Sequence, residues 1–259
     1  MYGSVDCSFI HHPNWIERPL FTDGLKTDTI YIWKGNITTL LSFYEVCSNL
    51  LNDAERTKAS TYHQQAHQQR YVLQHGILRC LLSWYLGSPA ANIAFTFNPN
   101  KKPYLLNSNI PCYFSLSYSG PEILIAISDR ELGVDIERIN QQFEYRDIAA
   151  QYFSAAEVAF INKADSPIEA FFLLWTRKEA LLKAWGSGID DNLPAIPALN
   201  GTHNSANASE NTSWLTESFN AGTDIIASVA YASPKKETAF SMLDTKLITA
   251  LLKGIHNCY

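Results

Sequence analysis

Apolar and polar residues alternate along several short segments of the chain and recur at helical spacing along a few longer ones. Strict alternation is typical of a half-buried strand, and apolar positions three and four residues apart are typical of an amphipathic helix. The predicted strands are residues 29–33, 93–97, 113–117, 122–128, 131–139, 224–231 and 238–243. The predicted helices are residues 38–51, 66–86, 167–185 and 244–253. Residues 1–25 lack a clear period, and residues 190–213 are rich in Asn, Ser, Ala and Thr, so we expect irregular structure in both.

Several helix starts carry a capping box, in which one side chain and a glutamate three residues later each bond the other's backbone. The matching pairs are Asn52 with Glu55, Ser154 with Glu157, and Ser166 with Glu169. Ser166 is followed directly by Pro167, a favourable first residue of a helix, and Gly186 is expected to end this helix. These residues locate the helix starts independently of the hydrophobic period.

The composition is that of an ordinary globular protein. The chain has 259 residues, 46% of them hydrophobic, and a formal net charge of -5. No run of Lys or Arg indicates a nucleic-acid or membrane-surface patch, and no segment approaches the roughly 18 apolar residues that span a bilayer. The five cysteines include no Cys-x-x-Cys pair. We therefore expect a cytoplasmic protein with reduced thiols and no signal peptide.

Two carboxylates lie in the segment Gly-Val-Asp-Ile-Glu, residues 133–137. Side chains two apart in a strand share a face, so Asp135 and Glu137 would project together about 7 Å apart at their backbones. One or two carboxylates with phosphate oxygens and water are the usual ligands of protein-bound Mg²⁺. An exposed strand face carrying two acids by chance is the alternative explanation.

A second polar group lies on the helix predicted for residues 167–185. Helical phase places Lys178 near the centre of an apolar stripe, where its ammonium must reach solvent or meet an anion. Glu179 and Lys183 are four residues apart, in the order that favours an ordinary surface ion pair. Such a pair explains Glu179 and Lys183 but does not explain Lys178.

Together these segments resemble the 4'-phosphopantetheinyl transferases of the larger, surfactin-synthetase-activating type. The motif of that family is Gly-x-Asp-x-Glu, followed later in the chain by Trp-x-x-Lys-Glu-x-x-x-Lys, and this chain matches both at residues 133–137 and 175–183. A Gly-Lys-Pro turn and a Phe-Asn-x-Ser-His-Ser strand end precede them in the family. The corresponding segments here are residues 101–103 and 114–119.

The resemblance implies Mg²⁺-dependent transfer of the phosphopantetheine arm of coenzyme A to a serine of an apo acyl or peptidyl carrier protein, with Mn²⁺ as an alternative metal. It assigns the metal to Asp135, Glu137 and Glu157, although the capping box alone would also explain Glu157. Lys178 and Lys183 would neutralise the pyrophosphate, and Glu179 would accept the proton of the attacking serine. The residues implied in coenzyme A binding are Lys102, Pro103, Ser117, Tyr118, Lys58, Arg70, Lys178 and Lys183.

The departures from the family pattern lie near the expected 3'-phosphate. Tyr118 stands where the family usually has histidine, Lys101 replaces glycine, and Ser115 replaces asparagine. Glu55 occupies a position that is often basic, which leaves Lys58, Arg70 and Arg56 as candidate cations.

The implied fold is α+β, with two similar α/β halves that contain antiparallel sheets and are related by pseudo-twofold symmetry. The resemblance divides the chain into residues 1–129 and residues 130–259, and places the metal site and the catalytic helix in the second half. It also implies a monomer that acts in fatty acid, polyketide or nonribosomal peptide synthesis, with no nucleic acid or membrane as partner.

Two other functions use the same residues. A Mg²⁺-dependent hydrolase of nucleotide pyrophosphates would cleave coenzyme A with no carrier present. A non-catalytic carrier-protein or nucleotide-binding module would show no turnover, and Asp135→Ala would leave its partner binding unchanged.

Overall fold

The computed structural model describes residues 3–17, 24–187, 193–205 and 212–256. Its strands are β1 (Gly3–Ile10), β2 (Trp15–Ile16), β3 (Thr29–Asn36), β4 (Phe95–Phe97), β5 (Pro103–Leu105), β6 (Tyr113–Ser119), β7 (Glu122–Ser128), β8 (Leu132–Arg138), β9 (Gly201–Ser205), β10 (Ser213–Gly222), β11 (Ile225–Ala232) and β12 (Glu237–Leu243). Its α-helices are α1 (Ile37–Leu40), α2 (Tyr44–Leu50), α3 (Asp53–Ser60), α4 (Gln65–Leu86), α5 (Arg146–Tyr152), α6 (Ala155–Lys163), α7 (Pro167–Trp185) and α8 (Thr245–His256).

Two five-stranded sheets form the centre of the fold. One has the strand order β8-β11-β10-β1-β9, and the other has the order β2-β12-β3-β7-β6. The pairs β1·β10, β12·β3 and β12·β2 are parallel. The α+β class is confirmed, but both sheets are mixed rather than antiparallel as expected.

The same strand-helix-hairpin unit occurs twice along the chain. In the first unit β3 is followed by α4 and the hairpin β6–β7, and β7 pairs antiparallel with β3. In the second, β8 is followed by α7 and the hairpin β10–β11, and β11 pairs antiparallel with β8. This repeat agrees with the expectation of two similar halves.

The sheets exchange strands across the expected boundary near Asp129. Strand β1, from the start of the chain, completes the sheet of the second unit, and β12, from near its end, completes the sheet of the first. Each sheet therefore contains strands from both sides of the expected boundary.

The sheets pack face to face between the two long helices. Leu124 and Ala126 of β7 share a core with Val134 and Ile136 of β8. The alternate positions of β7, among them Ile125, pack toward α4 in a separate core. Helix α7 covers β8 and β11 on the other side. Because side chains alternate along a strand, each sheet packs one face against the other sheet and the opposite face against a long helix. The fold therefore has four layers, in the order helix, sheet, sheet and helix.

Several predicted elements differ from the structure. Residues 1–25 are not irregular throughout, because β1 buries Val5 and Cys7 on one face. In the polar segment 190–213, a 3₁₀ turn at Leu193–Ala195 and strand β9 are present, whereas residues 190–192 and 206–211 lie outside the described residues. The helix predicted for residues 38–51 is split into α1, a 3₁₀ turn at Leu41–Phe43, and α2. Helix α5 and strand β10 lacked a prediction.

The helix starts are close to those predicted. Complete capping boxes are present at Asn52 with Glu55 and at Ser154 with Glu157. Helix α7 begins at Pro167 and ends at Gly186, which has the left-handed conformation, but the Ser166 side chain forms no cap hydrogen bond. No helix in the described part of the chain is long and apolar enough to cross a membrane.

Candidate active site

The site lies where the two sheets meet, along the neighbouring strands β6 and β8. Ser115, Ser117 and Ser119 share one face of β6 because side chains alternate along a strand. The Ser115 hydroxyl accepts a hydrogen bond from the Val134 N–H (3.1 Å), and the Ser119 hydroxyl accepts one from the Arg138 N–H (2.9 Å). Serine hydroxyls therefore join two strands that belong to different sheets.

Serine hydroxyls of β6 also donate hydrogen bonds to the two carboxylates of β8. Asp135 is buried, and its Oδ1 accepts hydrogen bonds from Ser117 Oγ at 2.8 Å and from Lys183 Nζ at 2.7 Å. Glu137 Oε2 accepts a hydrogen bond from Ser119 Oγ at 2.9 Å. Lys183 also donates to Ser117 Oγ at 3.0 Å. The structure brings Asp135, Ser117 and Lys183 into one hydrogen-bonded group.

Glu179 lies one turn before Lys183 on α7 and belongs to the same electrostatic group. Burial and the neighbouring Asp135 carboxylate raise the pKa of Glu179 to about 7, against the opposing effect of Lys183. Burial and Asp135 likewise raise the pKa of Glu137 to about 7. Three acidic side chains therefore share a region where their negative charges repel one another.

The donor set of this group fits a divalent cation. Asp135 Oδ2 and Glu179 Oε1 are buried oxygens without a hydrogen-bond partner, an arrangement that costs free energy unless another group approaches. In the described ranges, no set of three or more His, Cys, Asp and Glu side chains forms a complete metal site. Mg²⁺ does not require one, since it uses one or two carboxylates together with substrate phosphates.

Glu157 and Lys178 pair with each other rather than with Asp135, Ser117 or Lys183. Lys178 Nζ lies 2.9 Å from Glu157 Oε2, and their side chains are 0% and 2% exposed. Lys178 also donates to the carbonyls of Leu193 and Ile196. Glu157 additionally accepts hydrogen bonds from the backbone N–H groups of Ser154 and Ala198.

These contacts bear on the roles expected for Glu157 and Lys178. Among the described residues, Glu157 forms no metal-binding group with Asp135 and Glu137, and donors of the protein contact both of its oxygens. The helical phase left either solvent or an anion for the Lys178 ammonium, and in the structure that ammonium contacts the Glu157 carboxylate. Burial lowers the pKa of Lys178, although Glu157 opposes this change.

The turn at residues 98–102 caps the end of α7. The side-chain amides of Asn98 and Asn100 each donate to the Gly186 carbonyl at 2.9 Å. Lys102 Nζ donates to the Ala184 carbonyl at 2.5 Å, and burial lowers the pKa of Lys102 to about 8. Lys101 has a φ of 67°, the left-handed region that glycine adopts most easily. The sequence prediction did not include the role of Asn98 and Asn100.

A cavity of about 710 Å³ opens beside this group of residues. It is lined by Asn52, Ala54, Glu55, Lys58, Tyr71, His75, Leu78, Phe95, Phe97, Asn100, Lys101, Lys102, Pro103, Phe114, Ser115, Leu116, Glu179, Leu182, Lys183 and Gly186. Its size is in the range of cofactor pockets, about 300–1,000 Å³. Of the candidate coenzyme A residues, Lys58, Lys102, Pro103 and Lys183 line this cavity.

Tyr118 and Arg70 lie outside the cavity lining. The Arg70 guanidinium lies 3.5 Å from the centre of the Tyr118 ring, a cation–π contact, and Tyr118 is 49% exposed. The structure thus brings these two candidate residues together, but not with Lys102.

Glu55 replaces an expected cation with a buried anion that has its own partners. It caps α3 through Asn52 and pairs with Arg79 at 2.8 Å. Burial acts to raise the pKa of Glu55, but hydrogen bonds from His75, the Asn52 N–H and Arg79 outweigh burial and lower it. Glu55 is therefore an internal ion-pair partner at the cavity wall.

Residues 131–230 match the family model of the 4'-phosphopantetheinyl transferase superfamily. This segment of the chain is therefore similar to that superfamily. The matched segment runs from β8 to β11 and includes Asp135, Glu137, Glu179 and Lys183. Because it begins after Lys102 and Ser117, the phosphopantetheinyl transferase match does not extend to the cavity residues of the first unit.

Curated relatives carry the same family name. The chain is 27% identical to the 4'-phosphopantetheinyl transferase HetI of Nostoc sp. over 180 residues, which are 68% of this chain and 76% of the relative. It is 31% identical to a putative 4'-phosphopantetheinyl transferase of Synechocystis sp. over 57% of this chain and 61% of the relative. It is 35% identical to the 4'-phosphopantetheinyl transferase gsp of Aneurinibacillus migulanus over 46% of this chain and 49% of that protein. The chain thus spans from about half to three quarters of these relatives.

Proposed function

We propose that the protein transfers the 4'-phosphopantetheine arm of coenzyme A to a serine hydroxyl of an apo acyl or peptidyl carrier protein and releases adenosine 3',5'-bisphosphate. The observation that carries the proposal is the group formed by Asp135, Glu137, Glu179 and Lys183 where the sheets meet, with two of these residues lining the large cavity. The superfamily match supports it independently.

The carboxylates of β8 would hold the metal. Asp135 has a buried oxygen without a partner, and Glu137 shares its strand face. Oxygen ligands of this kind suit Mg²⁺, and also Mn²⁺. When bound, the ion would stabilise negative charge on the pyrophosphate. Glu157 is left out of this set because Lys178 and two backbone N–H groups occupy its carboxylate.

Glu179 would accept the proton of the attacking serine. Its buried Oε1 has no hydrogen-bond donor, so an incoming hydroxyl would supply the missing partner. A base is most effective when its pKa lies near the working pH, and burial with Asp135 nearby raises the pKa of Glu179 to about 7.

Cations near the cavity would receive the phosphates of coenzyme A. Lys183 lies beside Asp135 and would neutralise the pyrophosphate, where negative charge gathers during transfer. Lys102 and Lys58 line the cavity and suit the remaining phosphate. Lys178 is omitted because it is fully buried against Glu157.

A transfer assay tests this function directly. The protein, coenzyme A and Mg²⁺ are incubated with apo carriers of the fatty acid, polyketide and nonribosomal peptide types, and each carrier is weighed by mass spectrometry. We expect one carrier to gain a single phosphopantetheine, and the same carrier with its serine replaced by alanine to gain none. No modification of any carrier by folded protein would contradict the proposal, and coenzyme A cleavage without a carrier would favour a hydrolase.

Two variants test the assigned residues in the same assay. Asp135→Ala and Lys183→Ala should each reduce transfer by about 10²-fold or more, since each removes charge stabilisation at the reacting phosphate. Circular dichroism should show that both variants remain folded. Wild-type transfer by either variant would overturn its assigned role.

The proposed enzyme would act as a monomer in the cytoplasm, where coenzyme A and carrier proteins meet. Among the described residues, both five-stranded sheets are formed by strands of a single chain. Light scattering of the purified protein tests the monomer.

A further inference from the structure

The hydroxyl groups of β6 make two different kinds of contact with β8. Ser115 Oγ accepts a hydrogen bond from the Val134 N–H, a backbone group of the other sheet. Ser119 Oγ makes the equivalent contact with the Arg138 N–H and additionally donates to the Glu137 carboxylate. The two serines thus occupy the same face of one strand and differ in whether they touch an acidic side chain.

The contact between Ser119 and Glu137 constrains a carboxylate that has few other partners. In the portion of the chain that the structure describes, Ser119 is the only hydrogen-bond donor to the Glu137 side chain. The Arg138 N–H in turn donates to the Ser119 hydroxyl at 2.9 Å. A hydroxyl held by a backbone N–H can direct its own hydrogen toward one carboxylate oxygen, which leaves the other oxygen for a different ligand.

We propose that Ser119 is a positioning residue that orients the Glu137 carboxylate for the divalent cation. This inference rests on the proposed function, because it requires that Glu137 bind a metal. Groups that hold a metal ligand in place commonly contribute 10- to 100-fold to metal affinity. Ser119 would act only through Glu137 and would not touch the substrate.

Metal binding can be measured without catalysis. Mn²⁺ is titrated calorimetrically into wild-type protein and variants in the presence of saturating coenzyme A. Ser119→Ala should weaken Mn²⁺ binding about 10-fold, and Ser119→Thr should restore most of the affinity because it keeps the hydroxyl. Ser4→Ala is the control, since it removes a hydroxyl contact between strands β1 and β10 without removing a carboxylate partner, and it should leave Mn²⁺ affinity unchanged.

In the transfer assay, the loss in Ser119→Ala should diminish as Mg²⁺ is raised, which a general loss of packing would not produce. Wild-type Mn²⁺ affinity in folded Ser119→Ala would overturn the inference. Equal weakening in Ser4→Ala and Ser119→Ala would also overturn it, since the effect would then come from a general loss of strand packing. If Ser119→Ala does not fold, Ser119→Cys, which keeps the size but donates weakly, takes its place with the same expected loss.

A failure of the proposed function would look different. Wild-type protein would then bind no Mn²⁺ beside coenzyme A and modify no carrier, whichever residue occupies position 119. Normal wild-type binding and transfer together with an unaffected Ser119→Ala variant would reject the positioning role alone.

Discussion

Lys102 illustrates how local packing changes the chemistry of a single side chain. Its ammonium donates to the Ala184 carbonyl at the end of α7, and burial lowers the pKa of Lys102 to about 8. The Lys-Pro sequence predicted a turn, and the structure adds that this turn caps a helix. A lysine with such a pKa carries its charge at pH 7 and loses it slightly above.

Coenzyme A binding should therefore weaken as the pH rises through about 8. Deprotonation of Lys102 removes a cation from the cavity wall, so the dissociation constant of coenzyme A should increase between pH 7 and pH 9. Lys102→Arg keeps its charge throughout this range and should show a smaller increase. Calorimetric titrations at several pH values measure the effect, and identical pH profiles for the two proteins would contradict it.

The lowered pKa of Lys102 also predicts how the free energy of unfolding changes with pH. The folded-state pKa of Lys102, about 8, lies below the ordinary value of 10.5, so the unfolded chain binds more protons between these two values. The free energy of unfolding contributed by Lys102 should therefore increase with pH in that window. Subtracting the pH dependence of Lys102→Met isolates this contribution, and a decrease with pH would be the wrong sign.

The Glu157–Lys178 pair provides a test of the corrected residue roles. Replacing one partner leaves a buried charge without compensation, which typically costs about 3–5 kcal/mol of folding free energy. Glu157→Gln and Lys178→Met should therefore each lower the unfolding midpoint strongly. The double variant should be more stable than the sum of the two losses implies, because it leaves neither charge unpaired.

Chemical denaturation of the four proteins completes this cycle. Additive losses would contradict the pairing of Glu157 with Lys178. A Lys178→Met variant of unchanged stability that no longer binds coenzyme A would instead support the pyrophosphate contact that the family resemblance implied.

At the scale of helices and strands, the sequence predicted the features that depend on residues close together in the chain. The bounds of α7 and the capping boxes at Asn52 and Ser154 agree with the structure because caps and helical period act within a few residues. Local spacing also placed Lys178 in an apolar stripe, where its ammonium must reach solvent or meet an anion. It could not identify that anion as Glu157, because the partner lies on α6 and the contact depends on how two helices pack.

Gly133 shows a packing requirement that the Gly-x-Asp-x-Glu motif contains but does not explain. A Cβ at this position would lie 2.2 Å from the Ala180 carbonyl oxygen and 2.3 Å from the Ala184 nitrogen. These are backbone atoms of α7 and cannot move without shifting the helix. The glycine therefore permits the close approach that brings Glu179 and Lys183 to the carboxylates of β8.

Gly133→Ala should consequently displace α7 and destabilise the protein by about 3 kcal/mol or more, the upper range for overpacked sites. Transfer activity should fall even at temperatures where the variant remains folded. Gly120→Ala is a suitable control, because no neighbouring atom lies within 4 Å of its Cβ position, although its φ of 58° costs some stability. Equal losses in thermal midpoint for the two variants would argue against the close contact as the cause.

At the scale of the whole molecule, the duplicated unit could be expected from the family resemblance, but the exchange of strands could not. Strand β1 pairs in parallel with β10, and β12 pairs in parallel with β3. Parallel partners that are distant in the chain leave no local signal, unlike a hairpin with its turn. Residues 1–25 have no clear period as a whole, so the sequence predicts irregular structure there, although β1 alternates within this segment.

The strand exchange predicts that the two sequence halves depend on each other for folding. A fragment of residues 1–129 lacks β12 and α8, and a fragment of residues 130–259 lacks β1, which lies between β10 and β9 in its sheet. Each fragment alone would expose a strand edge and part of a core, so neither should give a cooperative thermal transition. Co-expression should recover one soluble complex, as should the full chain cleaved at a protease site inserted in the turn between β7 and β8. A fragment that is soluble and unfolds cooperatively alone would show that its sheet is stable without the exchanged strand.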